Sequence, residues 1–508
     1  MKSREGVYMH TVVLKGEATL HDYVDVVYRG KVISLSPSLV ERVKHLRDRI
    51  EAFTAEGRVM YGINTGFGAL KDTVILPDHL KDLQHNIVRS HAVGVGDPVP
   101  EVVSRGMLFL LINSFSKGYS GVRPALLQRL VDMLNAHIHP VVPRWGSVGA
   151  SGDLAPLSHL ALAVIGEGDV FYKGKRMNAA EAFEKAGMPP TFQLDAKEGL
   201  ALLNGTHFML SMLIDAYLKT KNIWSCYLST FAVFAEVMET VSTPFDPRIH
   251  KVRRDKYALE VAQIIREKLK GSKLIDRHPE MVQDSYSIRC FPQIASPIAR
   301  AIELTENLID EEINAVTDNP LVFEEEVLSG GNFHGAPIAW VSESLKTAIA
   351  DMGNVSIAHM EWLLNPRYNK ERGLTPFLTK EPGLESGFMI VQYMAASRMA
   401  HIRVLSHPAS VDNYYTSALQ EDVISLGAVS VDNLHVVLQD LAYIVAGESL
   451  MIYKAIFIKD IYDMLSSHGK EWVDTHKPLI GDKILGGDSY VAPILEGLAL
   501  KYLGEEVM

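Results

Sequence analysis

One stretch decides how this chain folds: Gly146-Ser147-Val148-Gly149-Ala150-Ser151-Gly152-Asp153-Leu154-Ala155-Pro156-Leu157-Ser158. Six of its first seven residues are Gly, Ala or Ser, and such small residues let a backbone bend sharply and approach other groups closely. Apolar residues at helical spacing follow them. The local pattern therefore predicts a loop that leads into a helix, with Ser151 or Asp153 as the capping residue.

The tripeptide Ala150-Ser151-Gly152 also has the composition that an internal cyclisation requires. The nitrogen of Gly152 carries little steric bulk and can attack the Ala150 carbonyl carbon if the turn is tight enough. Loss of two water molecules, one of which carries the Ser151 hydroxyl, leaves a five-membered ring with an exposed methylidene carbon. That carbon is an electrophile, which none of the twenty side chains provides.

The composition limits the class of protein. The chain has 508 residues, of which 47% are hydrophobic and 22% charged, the usual balance for a globular protein with a large core. Its net charge of −11, without basic runs, argues against nucleic acid or an anionic membrane as partner. The two cysteines, Cys226 and Cys290, are far apart and form no disulfide or zinc pattern. With no signal core and no apolar span at sequence level, a cytoplasmic protein is expected.

Hydrophobic periodicity predicts a mainly helical chain. Residues 7–36 alternate in short runs, such as Val24–Tyr28, and predict short strands, whereas Pro37–Ala55 has helical spacing. Long helical patterns then dominate from about residue 205, and the stretch from Asp276 to Pro297 is predicted to be a loop. The long segments are Phe208–Met238, Ile298–Asn314, Ile338–Leu364, Ser386–Leu405 and Val423–Ile458. We expect an N-terminal domain over residues 1–205 and a long-helix bundle with a C-terminal helical region over residues 206–508.

Two further stretches carry candidate functional residues. Tyr61-Gly62-Ile63-Asn64-Thr65-Gly66-Phe67-Gly68 is a glycine-rich loop without the features of a phosphate site, so it is either a plain turn cluster or a loop that brings Tyr61 over a pocket as a proton acceptor. Arg289 lies among Tyr, Ile, Cys and Phe, where an unpaired charge is costly. An anionic partner such as a carboxylate is therefore plausible for Arg289, which can hold it through two parallel hydrogen bonds. His137 and His139 lack a third ligand, and no metal is expected.

The run from Gly146 to His159 resembles the signature of the aromatic amino acid ammonia-lyases, and other motifs of that family follow in order over roughly residues 55–425. The resemblance implies that Ala150-Ser151-Gly152 becomes 4-methylideneimidazole-5-one (MIO), with no external cofactor. It also implies a long-helix bundle of the ammonia-lyase type, with a smaller mixed N-terminal domain that carries the MIO loop. A homotetramer whose active sites combine residues of several subunits is expected in this family.

The resemblance also assigns a role to each candidate residue. Tyr61 would be the essential base and Arg289 the clamp on the substrate carboxylate. Asn204 would hydrogen-bond the MIO ring or the carboxylate, and His91 would face the substrate ring. The remaining positions expected around the substrate are Gln283 and Tyr286 beside Arg289, Phe333 near the MIO group and Glu421 in the pocket.

Ser90-His91 looks like the histidine-specific type of this family and Glu421 is expected in the pocket, so L-histidine going to urocanate and ammonia is the expected reaction. An imidazole offers N–H and N groups to both side chains, whereas a phenyl ring would leave a buried carboxylate unpaired. Some positions depart from the family pattern, namely His207, Ala336 and Asn413-Tyr414-Tyr415. A tyrosine or phenylalanine ammonia-lyase, an MIO-dependent 2,3-aminomutase and an inactive helical scaffold stay open as alternatives.

Overall fold

The structure is a computed structural model that describes residues 11–505. The chain divides into two compact units, each of which is discontinuous in sequence. The first unit contains the residues up to Asp215, together with Glu306–Ser342 and Ala409–Asp432. The second contains Ala216–Thr305, Glu343–Pro408 and the residues from Asn433 onward.

Helices make up most of the described chain, so the mainly α fold expected from the sequence is confirmed. Those in the first two hundred residues are Leu20–Val27, Pro37–Ala55, Leu80–His91, Glu101–Ser116, Pro124–Asn135, Leu154–Ile165, Ala179–Lys185 and Glu198–Leu203. Five long helices follow at the predicted places: His207–Val237, Phe291–Ile313, Ala336–Leu364, Met389–Leu405 and Gly427–Lys459. The other helices are Pro247–Arg253, Lys256–Lys268, Tyr286–Arg289, Pro366–Asn369, Ser467–Ile480 and Ala492–Leu503.

The strands are short and form small separate sheets. Val12–Leu14 pairs in parallel with Ile33–Leu35, whereas Val95–Pro98 pairs antiparallel with Pro143–Trp145. A three-stranded antiparallel sheet has Asp169–Tyr172 between Ile138–Pro140 and Lys175–Asn178, and a hairpin joins the two-residue strands Leu321–Val322 and Val327–Leu328.

The strand predicted at Val24–Tyr28 is wrong, because this segment belongs to the helix Leu20–Val27. The Thr19 side chain accepts a hydrogen bond from Asp22 N, and the Asp22 carboxylate accepts one from Thr19 N. This capping box starts a helix, which buries Tyr23, Val26 and Val27 on one face. The strand at Val12–Leu14 is confirmed, and residues 7–10 of the predicted strand region lie outside the described residues.

The loop predicted from Asp276 to Pro297 is only partly correct. It ends at the short helix Tyr286–Arg289, and the long helix begins at Phe291 with Pro297 inside it. Pro292 lies in the first turn of the long helix, where N–H groups have no partner within the helix in any case. Pro297 removes one further hydrogen bond, which a helix of 23 residues tolerates. The predicted loop therefore extends too far, because neither proline prevents a helix from beginning at Phe291.

A hydrophobic cluster in the first unit fixes both ends of the segment from Met60 to Leu80, which contains the glycine-rich loop. Met60 and Ile63 at its beginning and Leu80 at its end pack in one buried cluster with Phe53 and Val322. Between these ends, Leu70 and Val74 are 68% and 58% exposed. The segment is therefore anchored at its two ends.

Among the described residues one helix, Gly427–Lys459, is long and apolar enough to cross a bilayer. Its most apolar window is 83% buried inside the fold. Burial of this kind is typical of a core helix.

Candidate active site

The predicted tripeptide lies in a turn that is clamped on both sides. On its N-terminal side, Leu426 N donates to Val148 O and Ser425 Oγ donates to Gly149 O, both at 2.9 Å. On its C-terminal side, Asp153 N donates to Gly205 O at 2.8 Å. Ala150 itself is 7% exposed and packs with Ile424 and Leu426. The turn cannot relax without breaking these contacts.

Two glycines make this turn possible. Gly149 and Gly152 have φ of +65° and +72°, a conformation that residues with a Cβ adopt at a cost. A Cβ on Gly149 would lie 2.1 Å from Ser425 Oγ, and one on Gly152 would lie 2.2 Å from Gly205 O. Small residues in a tight, clamped turn are what the cyclisation of Ala150-Ser151-Gly152 requires, so the residues present fit an MIO group.

Asp153 occupies the N-cap position of the helix Leu154–Ile165, but its side chain does not cap that helix. Its Oδ2 accepts from Met209 N at 2.9 Å, and its Oδ1 accepts from Ser147 Oγ at 2.8 Å. Asp153 therefore caps the helix that begins at His207. Burial raises the pKa of Asp153 to about 7, although these donors favour the carboxylate.

A pair of adjoining cavities, each of about 520 Å³, meets at the tripeptide. Both are lined by residues of the first unit. The residues common to both are Tyr61, Gly68, Ser151, Asn204 and Glu421. The structure thus brings together side chains from four separate stretches of sequence that were predicted to act together.

Tyr61 is half-buried, and its hydroxyl oxygen accepts a hydrogen bond from Gly68 N at 3.1 Å. The same loop is attached to the stretch that precedes Glu421, since Lys71 Nζ donates to Gln420 Oε1 at 2.8 Å. The loop therefore holds Tyr61 in an orientation that suits a proton acceptor.

Glu421 is the acidic residue that accepts a hydrogen bond from the tripeptide. Its Oε1 accepts from Ser151 Oγ and its Oε2 from Thr416 Oγ1, both at 2.7 Å. His91 lines the first cavity at the end of the helix Leu80–His91. His91 Nδ1 lies 2.9 Å from Ile87 O, which can only accept, so Nδ1 carries the proton and Nε2 is left as an acceptor. Burial lowers the pKa of His91 and favours this neutral form.

Asn204 ends the helix Glu198–Leu203 and is 4% exposed. Its Nδ2 donates to Asn319 O at 3.3 Å, which fixes the plane of the amide at the wall of both cavities. Phe333 is half-buried and lines the second cavity, next to His334 and Val423. Both predicted positions therefore lie at the tripeptide.

Three predicted residues belong to the second unit: Gln283, Tyr286 and Arg289. There, Arg289 Nη1 donates to Gln283 Oε1, and the Arg289 guanidinium lies 5.1 Å from the centre of the Tyr286 ring. Gln283 and Tyr286 are exposed. The three side chains form one cluster, which presents a guanidinium beside an amide and an aromatic ring.

Sequence reasoning missed some residues that act on the site. Thr416 and Gly68 hold Glu421 and Tyr61 through one hydrogen bond each. The glycine-rich composition gave a signal for Gly68, but no local pattern marks Thr416. Within residues 11–505, no group of three or more His, Cys, Asp or Glu side chains is arranged to hold a metal ion. His137 and His139 instead accept hydrogen bonds from Arg105 Nη1.

Comparison with known proteins adds an independent observation. The model of the family described as aromatic amino acid lyase matches residues 18–475. A protein named histidine ammonia-lyase from Geobacillus sp. (strain WCH70) is 45% identical over 457 residues, which cover 89% of each chain. A protein of the same name from Bacillus cytotoxicus is 43% identical over 462 residues, or 90% of each chain.

Solved structures of similar proteins include two activities. Histidine ammonia-lyase from Trypanosoma cruzi has a TM-score of 0.87 and 33% identity, and the match covers 97% of this chain and 95% of that one. Phenylalanine aminomutase from Pantoea agglomerans has a TM-score of 0.91 and 29% identity, with 97% and 98% covered.

Proposed function

We propose, from the premise that the chain belongs to the aromatic amino acid lyase family and is therefore a carbon–nitrogen lyase, that it removes ammonia from L-histidine to give urocanate. The observation that carries this proposal is the cavity in which Ser151, Tyr61 and Glu421 meet. The names of the relatives at 43–45% identity support the choice of histidine.

The tripeptide Ala150-Ser151-Gly152 would form the MIO group. When formed, MIO supplies an electrophile that makes the amino group of the substrate a better leaving group. Gly149 and Gly152 permit the turn, and the hydrogen bonds of Ser425, Leu426 and Asp153 hold it closed. Asn204 and Phe333 would pack beside the group from the cavity wall.

Tyr61 is the proposed base that takes a proton from the β-carbon of the substrate. Gly68 N donates to the Tyr61 oxygen at 3.1 Å and fixes where that oxygen lies in the cavity. A positioned base of this kind contributes roughly 10²–10⁴-fold to the rate. The proton leaves the β-carbon while the amine leaves the α-carbon, and the electrons of the C–H bond become the new double bond.

Substrate choice would depend on Glu421 and His91. Glu421 can accept from an imidazole N–H, and the unprotonated Nε2 of His91 is a second acceptor at the first cavity. A neutral imidazole has a single N–H and satisfies one of these acceptors, whereas a phenyl ring satisfies neither, at a cost of about 1–3 kcal/mol for the additional unpaired polar group. These contacts favour histidine over phenylalanine.

A second activity stays open because of the aminomutase neighbour and the sequence departures at Ala336 and Asn413-Tyr414-Tyr415. Tyr414 and Tyr415 are 60% and 71% exposed, and they directly precede Thr416, which hydrogen-bonds Glu421. An aminomutase would return the ammonia to the β-carbon of an aromatic amino acid. A tyrosine or phenylalanine lyase would release it.

A substrate panel separates these activities. The purified protein is incubated with L-histidine, L-tyrosine and L-phenylalanine, and unsaturated acids are followed by absorbance and β-amino acids by NMR. We expect urocanate and free ammonia from L-histidine. Ammonia from L-tyrosine but not L-histidine would reject the substrate, and a β-amino acid would identify an aminomutase. An inactive scaffold would show the encoded mass, whereas MIO formation removes the mass of two water molecules.

The proposed enzyme is a cytoplasmic homotetramer in which residues from more than one copy complete each active site. Arg289, with Gln283 and Tyr286 beside it, would hold the substrate carboxylate, because a guanidinium binds a carboxylate through two parallel hydrogen bonds. Differently tagged Tyr61→Phe and Arg289→Met chains test this idea when they are co-expressed and co-purified. Mixed assemblies should regain activity that neither variant has alone. Mixed assemblies that stay inactive would contradict sharing of these two residues between copies.

A further inference from the structure

A fully buried ion pair lies behind the active-site wall of the first unit. Lys197 Nζ and Asp318 Oδ2 are 2.7 Å apart, and the two side chains are 0% and 1% exposed. Burial lowers the pKa of Lys197, and the Asp318 carboxylate opposes that shift. Two buried charges are expensive to desolvate, so an apolar pair of similar size would serve stability as well. The pair therefore calls for an explanation beyond stability.

The backbone conformation of Lys197 is a second unusual feature of this pair. Lys197 has φ of +77°, in the left-handed region that favours glycine, and it begins the helix Glu198–Leu203. Such a conformation persists in a residue with a side chain only when its surroundings fix it. The ion pair therefore lies at the first end of this helix, and Asn204 lies at its other end.

The partner, Asp318, is equally well connected. Its second oxygen, Oδ1, accepts from Asn319 N at 2.6 Å. Asn319 O accepts from Asn204 Nδ2, and Asn319 Oδ1 accepts from Gly330 N at 2.7 Å. The ion pair is thus connected to Asn204 on both sides, through the helix Glu198–Leu203 from Lys197 and through Asn319 from Asp318.

The next residues connect this network to the tripeptide. Thr206 N donates to Thr317 Oγ1 at 3.2 Å, so residues 204–206 are held along the segment that contains Asp318. On its other side, Gly205 forms a bridge with Gly152 and accepts from Asp153 N. Gly205 therefore lies between the anchored segment and the C-terminal end of the tripeptide.

We propose that the Lys197–Asp318 pair is a positioning device for MIO formation: it fixes residues 204–206, against which the Ala150-Ser151-Gly152 turn is pressed closed. This inference rests on the proposed function, because it presupposes that the tripeptide cyclises. Ser425 and Leu426 hold the N-terminal side of the turn, and Gly205 is the opposing support on the C-terminal side.

The rate of cyclisation depends on such a support because the attacking atom, the amide nitrogen of Gly152, is a poor nucleophile. Gly152 N bonds to the Ala150 carbonyl carbon, and the carbonyl oxygen leaves as water with the protons of Gly152 N and Ser151 N. A second water takes the Ser151 hydroxyl and the Ser151 Cα proton, which leaves the Cα–Cβ double bond. No oxidant or cofactor is needed. Misplacement of reacting atoms by about 1 Å can cost ~10²-fold in rate.

The test replaces the pair by neutral side chains and measures cyclisation directly. In Lys197→Met/Asp318→Asn, the acceptor for Asn319 N is kept and no unpaired charge is buried, but the link from the helix to Asp318 is lost. We expect a folded protein, by circular dichroism and thermal unfolding, in which cyclisation is slower by up to ~10²-fold. Intact mass measured at intervals after cell-free synthesis gives the fraction that has lost two waters.

A buried pair in the second unit provides the control. His359 Nδ1 and Glu448 Oε1 are 2.6 Å apart, with side chains 0% and 1% exposed, and the other His359 nitrogen faces Ser287 O. Glu448→Gln should lower the unfolding temperature but cyclise at the wild-type rate.

The outcomes are distinguishable. Wild-type protein that keeps its encoded mass refutes the proposed function itself. Cyclised wild type, together with a double variant that cyclises equally fast, refutes only the positioning role. A double variant that cannot fold also counts against it, since the pair would then be a requirement of folding alone.

Discussion

The Ser151 hydroxyl donates a 2.7 Å hydrogen bond to Glu421 Oε1, across 270 residues of sequence. Thr416 Oγ1 occupies the other carboxylate oxygen. Before cyclisation, both oxygens of Glu421 are therefore engaged. Because the Ser151 hydroxyl departs in the proposed cyclisation, Oε1 loses its partner in that step. The same reaction would then create the electrophile and free an acceptor for the substrate.

Replacing Ser151 tests the first half of this argument. Ser151→Ala should fold, because the side chain is half-buried and loses one hydrogen bond to a charged group, worth about 1.5–3 kcal/mol. It should keep its encoded mass and show no lyase activity. Ser158→Ala is the matched control, since the Ser158 hydroxyl only donates to Leu154 O within a helix. An active Ser151→Ala enzyme would rule out the MIO mechanism.

Replacing Tyr61 separates proton transfer from cofactor formation. Tyr61→Phe keeps the ring but removes the oxygen that accepts from Gly68 N. We expect kcat to fall by roughly 10²–10⁴-fold, with the mass of the cyclised protein unchanged. Tyr119→Phe serves as control, since Tyr119 packs on Phe323 and lies outside the lining of both cavities. A Tyr61→Phe variant with normal kcat would exclude Tyr61 as the base.

The long helices could be predicted from sequence because each depends on its own apolar spacing. Gly427–Lys459 and His207–Val237 lie within a few residues of their predicted bounds. Val24–Tyr28 was wrong because short apolar alternation fits a strand and a short amphipathic helix equally well, and the capping box at Thr19 decides between them.

The resemblance to a family pointed to Tyr61, Asn204 and Glu421, which line both cavities, but it did not indicate how they are held. Ser151 or Asp153 was predicted to cap the helix that begins at Leu154, whereas the Asp153 carboxylate caps the helix that begins at His207. The hydrogen bond from Thr416 to Glu421 and the ion pair of Lys197 have no local signal. Contacts between residues far apart in sequence depend on packing, which a periodic pattern does not contain.

The proposed role of Glu421 in substrate choice predicts that substitutions of Glu421 and of its partner Thr416 lower kcat/KM for L-histidine by different amounts. Glu421→Gln keeps the shape but removes the charge, so kcat/KM for L-histidine should fall by roughly 10–150-fold, the value of a hydrogen bond to a charged group. Thr416→Val removes only the hydroxyl that orients Oε2 and should cost about tenfold or less. Turnover of L-phenylalanine, where detectable, should not fall in either variant. Equal losses for both substrates would show that Glu421 supports the tripeptide rather than the substrate ring.

His207, which departs from the family pattern and is buried, should make the free energy of unfolding depend on pH. Burial lowers the pKa of His207 to about 4, from 6.5 in an exposed histidine. Above pH 6.5 the folded and unfolded chains both carry a neutral imidazole, so His207 has no effect. Between pH 6.5 and 4 the unfolded chain binds a proton that the folded chain does not, and stability falls as the pH falls.

His207→Gln removes this titration. Relative to wild type, the variant should gain about 2 kcal/mol in the free energy of unfolding between pH 7.5 and pH 5. Urea unfolding followed by circular dichroism at each pH measures the difference. His407→Gln changes an exposed histidine and should leave the pH dependence of wild type intact. If wild type and His207→Gln lose stability in parallel, then His207 is protonated in the folded protein, and the burial argument for this residue is wrong.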